Sequence, residues 1–292
     1  MGWRTVVVTK SAKLDLKLNN LVIRSIEEVN KINLEEIEML ILESNQIAIT
    51  SCLLVELSKQ KIPTIFCDDK HIPISSLLPF NGCHDCSKKV LLQSKWTEEQ
   101  KAKIWRIVVY NKIFNQKKLL ETLYKNKEAI DLLDKYLGEI EDFDSTNREG
   151  LAAKVYFSAL FGKDFKRGEN DVINSCLNYG YQILLSSFVI AVKANGYITE
   201  LGIFHSSQHN YYNLASDLME PFRIVVDKLV YEKQFDNFDT KEKRELQNIL
   251  NSEININGRK QTVNNAISIY TKSILDALSE NSEEGEIKFI RI

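Results

Sequence analysis

Glu149, His205, Asp217 and Glu220 are the side chains of this 292-residue chain whose types and spacing point to chemistry. Residues 205–227 read HSSQHNYYNLASDLMEPFRIVVD, which puts an imidazole shortly before a helix bearing Asp217 and Glu220 three residues apart. Positions i and i+3 share a helical face, so both carboxylates can address one volume. An imidazole with two or three convergent carboxylates is a hard nitrogen and oxygen donor set. It suits Mg²⁺ or Mn²⁺ rather than metals bound by thiolates. Ions of that kind offset the charge that develops when a phosphodiester is attacked. The constellation points to a metal-dependent enzyme acting on a nucleic-acid backbone.

Each of these residues has a plainer reading. Glu149 falls in the first turn of an expected helix, where any acid favours the helix dipole. A lone histidine is more often a structural hydrogen-bonding group. His205 gains interest from its place on a short segment after Gly196 and Gly202, where it can be held over a cleft. Glu220 lies beside the apolar stripe of Leu214, Leu218, Phe222, Val225 and Leu229, where an unpaired carboxylate is costly. A metal ion removes that cost. So does Arg223, three residues from Glu220 and four from Asp227, and a structural ion-pair ladder is the competing reading. Pro221 forfeits a helix hydrogen bond and crowds the carbonyl of Asp217. Positioning of Glu220 explains that awkward sequence better than helix stability does. His205 and His209 stand four apart, but no glutamate follows His205 directly, so the zinc metalloprotease pattern is missing and His209 is read as structural or substrate-facing. Cys83-His84-Asp85-Cys86 has no second CxxC to complete four ligands, and no zinc is expected there.

The elements that position these groups follow from periodicity. The expected fold is α+β: a small N-terminal β-rich domain over 1–80, a linker over 81–95, and a larger all-α catalytic domain over 96–292. Strands are expected at 5–8, 13–18, 21–26, 38–42, 47–50, 62–67 and 71–74, with Asn19-Asn20 as a hairpin turn. Ser51 is expected to cap a helix running to Lys59. From Thr97 the period turns helical, with further helices over 121–137, around Glu149 behind a Ser145 or Thr146 cap, over 172–193, and from about Asn213. The last fourteen residues read as an acidic flexible piece ending in IKFIRI.

Composition narrows the class. A chain of this length buries roughly three quarters of its unfolded surface and needs no disulfides. Hydrophobic content of 44% and charged content of 27% are those of a globular protein. Five cysteines in apolar or loop contexts suit a reducing compartment. The start MGWRTVVVTK lacks the marks of a signal peptide, so a cytoplasmic protein that spans no membrane is expected. The net charge of −2 argues weakly against nucleic acid, but the basic residues cluster. Lys95, Lys101, Lys103, Arg106, Lys112, Lys117 and Lys118 form one group, and Lys163, Lys166 and Arg167 another. Either group is also compatible with a solvated helix face. Lys166, Arg167 and Arg223 are the candidate DNA contacts.

Five segments together resemble a known family: MGWRTVVV at the start, IFCDD at 65–69, REGLAAKVYFSALFG at 148–162, LNYGYQILLS at 177–186, and the 205–227 block. They resemble the CRISPR-associated adaptation endonuclease, the integrase of spacer acquisition, in the form accompanying type II systems. The resemblance implies a divalent ion, Mg²⁺ or Mn²⁺, held by Glu149, His205 and Glu220, with Asp217 supporting the site. It implies insertion of short duplex DNA into a repeat array by attack of a 3′-hydroxyl on a phosphodiester. The implied partners are a second copy through the N-terminal domain, a small ferredoxin-like second adaptation protein bridging two dimers, double-stranded DNA at the prespacer and leader-repeat, and other type II CRISPR proteins. The CHDC loop and His209 depart from the family pattern without touching the proposed metal set. A stand-alone metal-dependent DNase, a transposon-type integrase and a non-catalytic DNA-binding scaffold are the alternatives.

Overall fold

The alternating apolar residues at the start of the chain become strands. A computed structural model describes residues 2, 4–69, 71, 73–79, 83–124, 126–280 and 287–292. They divide into two units, residues 1–84 and 85–292. The first unit runs β1 (Arg4–Val8), β2 (Ala12–Lys17), β3 (Asn20–Arg24), β4 (Val29–Asn33), β5 (Ile37–Leu42), β6 (Ile47–Ile49), α1 (Ser51–Lys59), β7 (Thr64–Cys67) and β8 (Pro73–Leu77). One sheet has the order β1-β5-β7-β8, parallel except for β8, and the other has the order β4-β3-β2-β6. Leu14, Leu21, Leu34, Leu40, Leu53 and Leu57 are fully buried in its core, each burial contributing about 1.5–3 kcal/mol.

Several local expectations are corrected here. The hairpin turn is Leu18-Asn19, both at positive φ of 50° and 58°, rather than Asn19-Asn20. That register sets Leu16 opposite Leu21 and Leu14 opposite Ile23, and a one-residue slip would reverse the faces of one strand. Thr50, not Ser51, caps α1, its hydroxyl accepting from the Leu53 amide at 3.4 Å. β4 was not anticipated. The expected strand at 71–74 is β8 instead, with residue 72 outside the described set.

The second unit contains α2 (Cys86–Gln93), α3 (Glu98–Thr122), α4 (Lys127–Leu137), α5 (Arg148–Phe161), α6 (Val172–Ala194), α7 (Asn213–Met219), α8 (Arg223–Lys233), α9 (Thr240–Gln247), β9 (Glu253–Ile256), β10 (Arg259–Thr262), α10 (Val263–Glu280) and β11 (Ile290–Arg291). Thr97 and Gln100 close a capping box at the start of α3, satisfying two orphan amides. α6 is long and apolar enough to cross a membrane, but 72% of its apolar window is buried. It packs against α7, α8, α9 and α10 as the core helix of the unit. Gly180 lets α6 and α8 approach closely, since a Cβ there would stand 2.5 Å from Val226 Cγ1.

This unit is the helical domain expected, and it also carries a small sheet, β10-β9-β11, that was not expected. Its hairpin turns on Asn257-Gly258, with φ of 50° and 73°. Where a linker was expected, α2 belongs to the second unit. Its buried Gln93 donates to the carbonyls of Ile198 and Leu201 at 2.9 and 3.0 Å and accepts from the Ile198 amide. Residue 80, residues 81–82 of that linker and the acidic 281–286 lie outside the described residues.

Candidate active site

Two helices and one irregular turn bring the candidate carboxylates together. Neither Ser145 nor Thr146 caps α5. Asn147 occupies that position at φ 52°, and the Asp144 carboxylate accepts from the Arg148 and Glu149 amides at 2.8 and 2.9 Å. Glu149 is thereby fixed at the head of α5. The helix expected through Pro221 is broken: α7 ends at Met219, Glu220–Phe222 forms a 3-10 turn, and α8 starts at Arg223. The Pro221 carbonyl accepts from Asn115 Nδ2 at 3.3 Å. Glu220 itself keeps helical dihedrals, φ −51° and ψ −47°, and its side chain is buried at 5% exposed.

Lys112 of α3 meets both carboxylates. Its Nζ lies 2.5 Å from Glu149 Oε1 and 2.5 Å from Glu220 Oε2. Arg223 holds Glu220 as well, its Nε donating to both carboxylate oxygens at 3.0 Å. Burial works against the charge on Glu220, but Arg223 and Lys112 outweigh it and lower its pKa to about 2. Burial likewise opposes the Lys112 charge, and Glu220 and Glu149 overcome it, raising its pKa. The Arg223 guanidinium rests 4.6 Å over the Tyr181 ring. Asp227, one turn on, accepts from the hydroxyls of Tyr156 (3.1 Å) and Tyr181. Its burial pushes the pKa up to about 6 despite those hydrogen bonds. Lys112, Glu149, Tyr181, Glu220, Arg223 and Asp227 line a cavity of about 190 Å³ together with Gln116 and Arg167.

His205 stands beside a second cavity of about 720 Å³, which Trp96, Lys101, Phe143 and Tyr211 also line. Asp217 organises its loop. The buried carboxylate accepts from the amides of Ile203, Phe204 and His205 at 2.6, 3.0 and 3.1 Å. It also pairs with His205 Nδ1 at 2.5 Å. That hydrogen bond raises the His205 pKa against partial burial, helped by the charges of Asp217, Glu220 and Glu149. Trp105 stacks on Phe204 at 4.5 Å and meets the imidazole edge-on at 5.9 Å. With Nδ1 fixed by Asp217, Nε2 is the ring nitrogen left for other chemistry.

The structure therefore joins Glu149 to Glu220 through an ammonium and joins His205 to Asp217 in a neighbouring cavity. Among the described residues, no group of three or more His, Cys, Asp and Glu side chains is placed to hold a metal ion. The donor types still fit Mg²⁺ or Mn²⁺, and a carboxylate holding the second nitrogen of an imidazole is the usual support of a histidine ligand. Lys112 occupies the position between the two carboxylates.

Lys112 was assigned above to a surface basic cluster. It is 9% exposed and falls on the buried α3 stripe of Trp105, Val108, Gln116 and Leu119, a spacing visible in the sequence. Other members of that cluster are offset by carboxylates: Lys101 by Glu98, Lys103 by Glu99, Arg106 by Asp142, and Lys118 by Glu121. Of the candidate DNA contacts, Lys166 is exposed and pairs with Glu169 at 3.6 Å. Arg167 bonds Asn174 and Asn178 and lies over Phe157 and Tyr181, and Arg223 is committed to Glu220. None of the five cysteines is in a disulfide.

The chain is 34% identical over 230 residues to "CRISPR-associated endonuclease Cas1" of Neisseria meningitidis serogroup C (strain 8013), covering 79% of this chain and 75% of that one. Its fold matches the solved structure "Casposase bound to integration product" with a TM-score of 0.74 at 19% identity, over 97% of this chain and 92% of that one. It also matches a chain of the "Cas6-RT-Cas1--Cas2 complex" with a TM-score of 0.72 at 18% identity, over 98% of this chain but only 36% of the other. The profile described as "CRISPR associated protein Cas1" matches residues 5–265, and the chain belongs to that family.

Proposed function

We propose that this chain is a divalent-metal-dependent DNA endonuclease and integrase that inserts short duplex DNA into a CRISPR repeat array. The observation that carries the reading is the meeting of Glu149 and Glu220, from two separate elements, on one cation beside the Asp217–His205 pair. In a Cas1 family member that is where an ion-assisted phosphodiester reaction would be housed. Glu149 and Glu220 would be anionic ligands, and His205, through Nε2, the nitrogen ligand. A bound Mg²⁺ or Mn²⁺ would supply Lewis acidity toward a phosphoryl oxygen and lower the pKa of an attacking hydroxyl.

The reaction exchanges one phosphodiester for another. The 3′-oxygen of the incoming strand forms a bond to phosphorus, the bond to the leaving oxygen breaks, the hydroxyl proton departs and the leaving oxygen takes one up. Water in place of the hydroxyl gives hydrolysis at the same site. Asp217 holds the imidazole by Nδ1, so that ring need not reorient during the reaction. Arg223, braced by Tyr181, keeps Glu220 ionised and fixed. Asp227 and its two tyrosines brace that platform from below.

Partners follow the same reading. The first unit forms a homodimer, supported by exposed Leu18, Ile26 and Val29 around the unpaired edge of β4. A small ferredoxin-like second adaptation protein bridges two dimers, and the helical unit takes the double-stranded DNA. Purified protein, that partner, a supercoiled repeat plasmid and a short duplex should give plasmid-linked product only with a divalent ion. Cleavage without any joining would favour a plain DNase.

A further inference from the structure

Both carboxylates proposed above as ligands for the ion already have a cation on them. Lys112 Nζ touches Glu149 Oε1 and Glu220 Oε2 at 2.5 Å. A divalent ion that takes both carboxylates competes with the ammonium for the same lone pairs, and two cations so close in a buried site repel strongly. Lys112 must therefore leave when the ion enters. One helical turn along α3, on the same face, stands Gln116. It lines the same cavity, it is 4% exposed, and its Oε1 has no hydrogen-bond donor among the described residues. A buried acceptor without a partner is rare and costly, and an ammonium swung one turn along the helix would satisfy it.

We propose that Lys112 is a resident cation that holds Glu149 and Glu220 together in the metal-free protein and retreats to Gln116 when a divalent ion binds, so that this lysine sets the ion's affinity. The proposal rests on the metal reading of the two glutamates. In the metal-free state the ammonium keeps two carboxylates from repelling each other. In the loaded state its displacement offsets part of the binding free energy. Lys112 is on this account a positioning residue that tunes the site, not a ligand.

Mn²⁺ titration of the full-length protein, followed by electron paramagnetic resonance, tests this without DNA or turnover. Lys112→Met keeps most of the side-chain volume and should bind Mn²⁺ at least about tenfold more tightly than wild type, as removal of a neighbouring charge requires. Gln116→Leu, which removes the retreat acceptor, should bind it several-fold more weakly. Glu220→Gln and Glu149→Gln, run alongside, should lose binding. If they do not, the metal reading and this inference fall together. If they do and Lys112→Met is no tighter than wild type, this inference alone is overturned. Unchanged binding by Gln116→Leu overturns the retreat to Gln116. Should Lys112→Met not fold, a crystal structure of the wild type soaked in Mn²⁺ decides. Nζ moved away from both carboxylates supports the account, and Nζ still between them beside the ion overturns it.

Discussion

At the residue scale, the site depends on which charges are compensated and by what. Glu220 is ionised because Arg223 and Lys112 outweigh its burial, and the competing reading made from the sequence, an ion pair with Arg223, is present in the structure. The two readings are compatible, since an arginine fixed by a tyrosine ring can orient a ligand as well as balance it. His205 gives a pH prediction. Its pKa is raised in the folded protein by Asp217, so the pair's stabilisation is complete below the unfolded value of about 6.5 and fades as pH rises through the higher folded value. Without divalent ions, the difference in melting temperature between wild type and His205→Asn should shrink from pH 6 toward pH 9. A difference that grows over that range would contradict the assignment. Lys112 was legible but misread: the stripe from Trp105 to Leu119 passes through it, and only its charge suggested the surface.

At the element scale, the sequence disclosed the strands and long helices because their periodicities are strong. It hid what depends on backbone detail. The break at Glu220–Phe222 is partly visible in the sequence, since Pro221 cannot donate, but the Asn115 side chain of α3 that binds the Pro221 carbonyl is not. The β9–β10 hairpin was missed although Asn257-Gly258 is the favoured turn pair for two positive φ values. Its strands read Glu253–Ile256 and Arg259–Thr262, too short and polar to stand out among helices. Gly258 has free space where a Cβ would go, but a φ of 73°. Gly258→Ala should therefore destabilise by roughly 1 kcal/mol from backbone strain alone, and a much larger loss on urea unfolding would contradict strain as the sole cause. The 203–205 loop is a stronger case. Asp217→Asn removes a charge that accepts from three amides and an imidazole, and roughly 2–4 kcal/mol of stability should go with it. A melting temperature within about 1 °C of wild type would show that the loop is held by other contacts.

At the scale of the whole molecule, the division into a β-rich unit and a helical unit was readable from the change of period near Trp96, while the helical part of the linker was not. The CHDC sequence runs into the start of α2, which presents Gln93 to the 198–201 backbone. An acidic chain must concentrate its cations to hold DNA. The structure offsets much of the 95–118 group with carboxylates; Lys166 pairs with Glu169 too, but it and neighbouring Lys163 are both exposed and are the candidates for phosphate contacts. Charge reversal at both should weaken duplex binding and flatten its salt dependence by about one phosphate contact each. The mass of the protein in solution should not change. Unaltered affinity and salt slope would place the DNA surface elsewhere. The central claim, that Glu149, His205 and Glu220 carry ion-dependent strand transfer, is tested most directly by one integration assay. Wild type, Glu220→Gln and His205→Ala would be compared at equal DNA occupancy, with and without Mn²⁺. Joined product should require the ion and fall by about a hundredfold or more in both variants, whereas product near the wild-type level in either variant, or without any divalent ion, would contradict it.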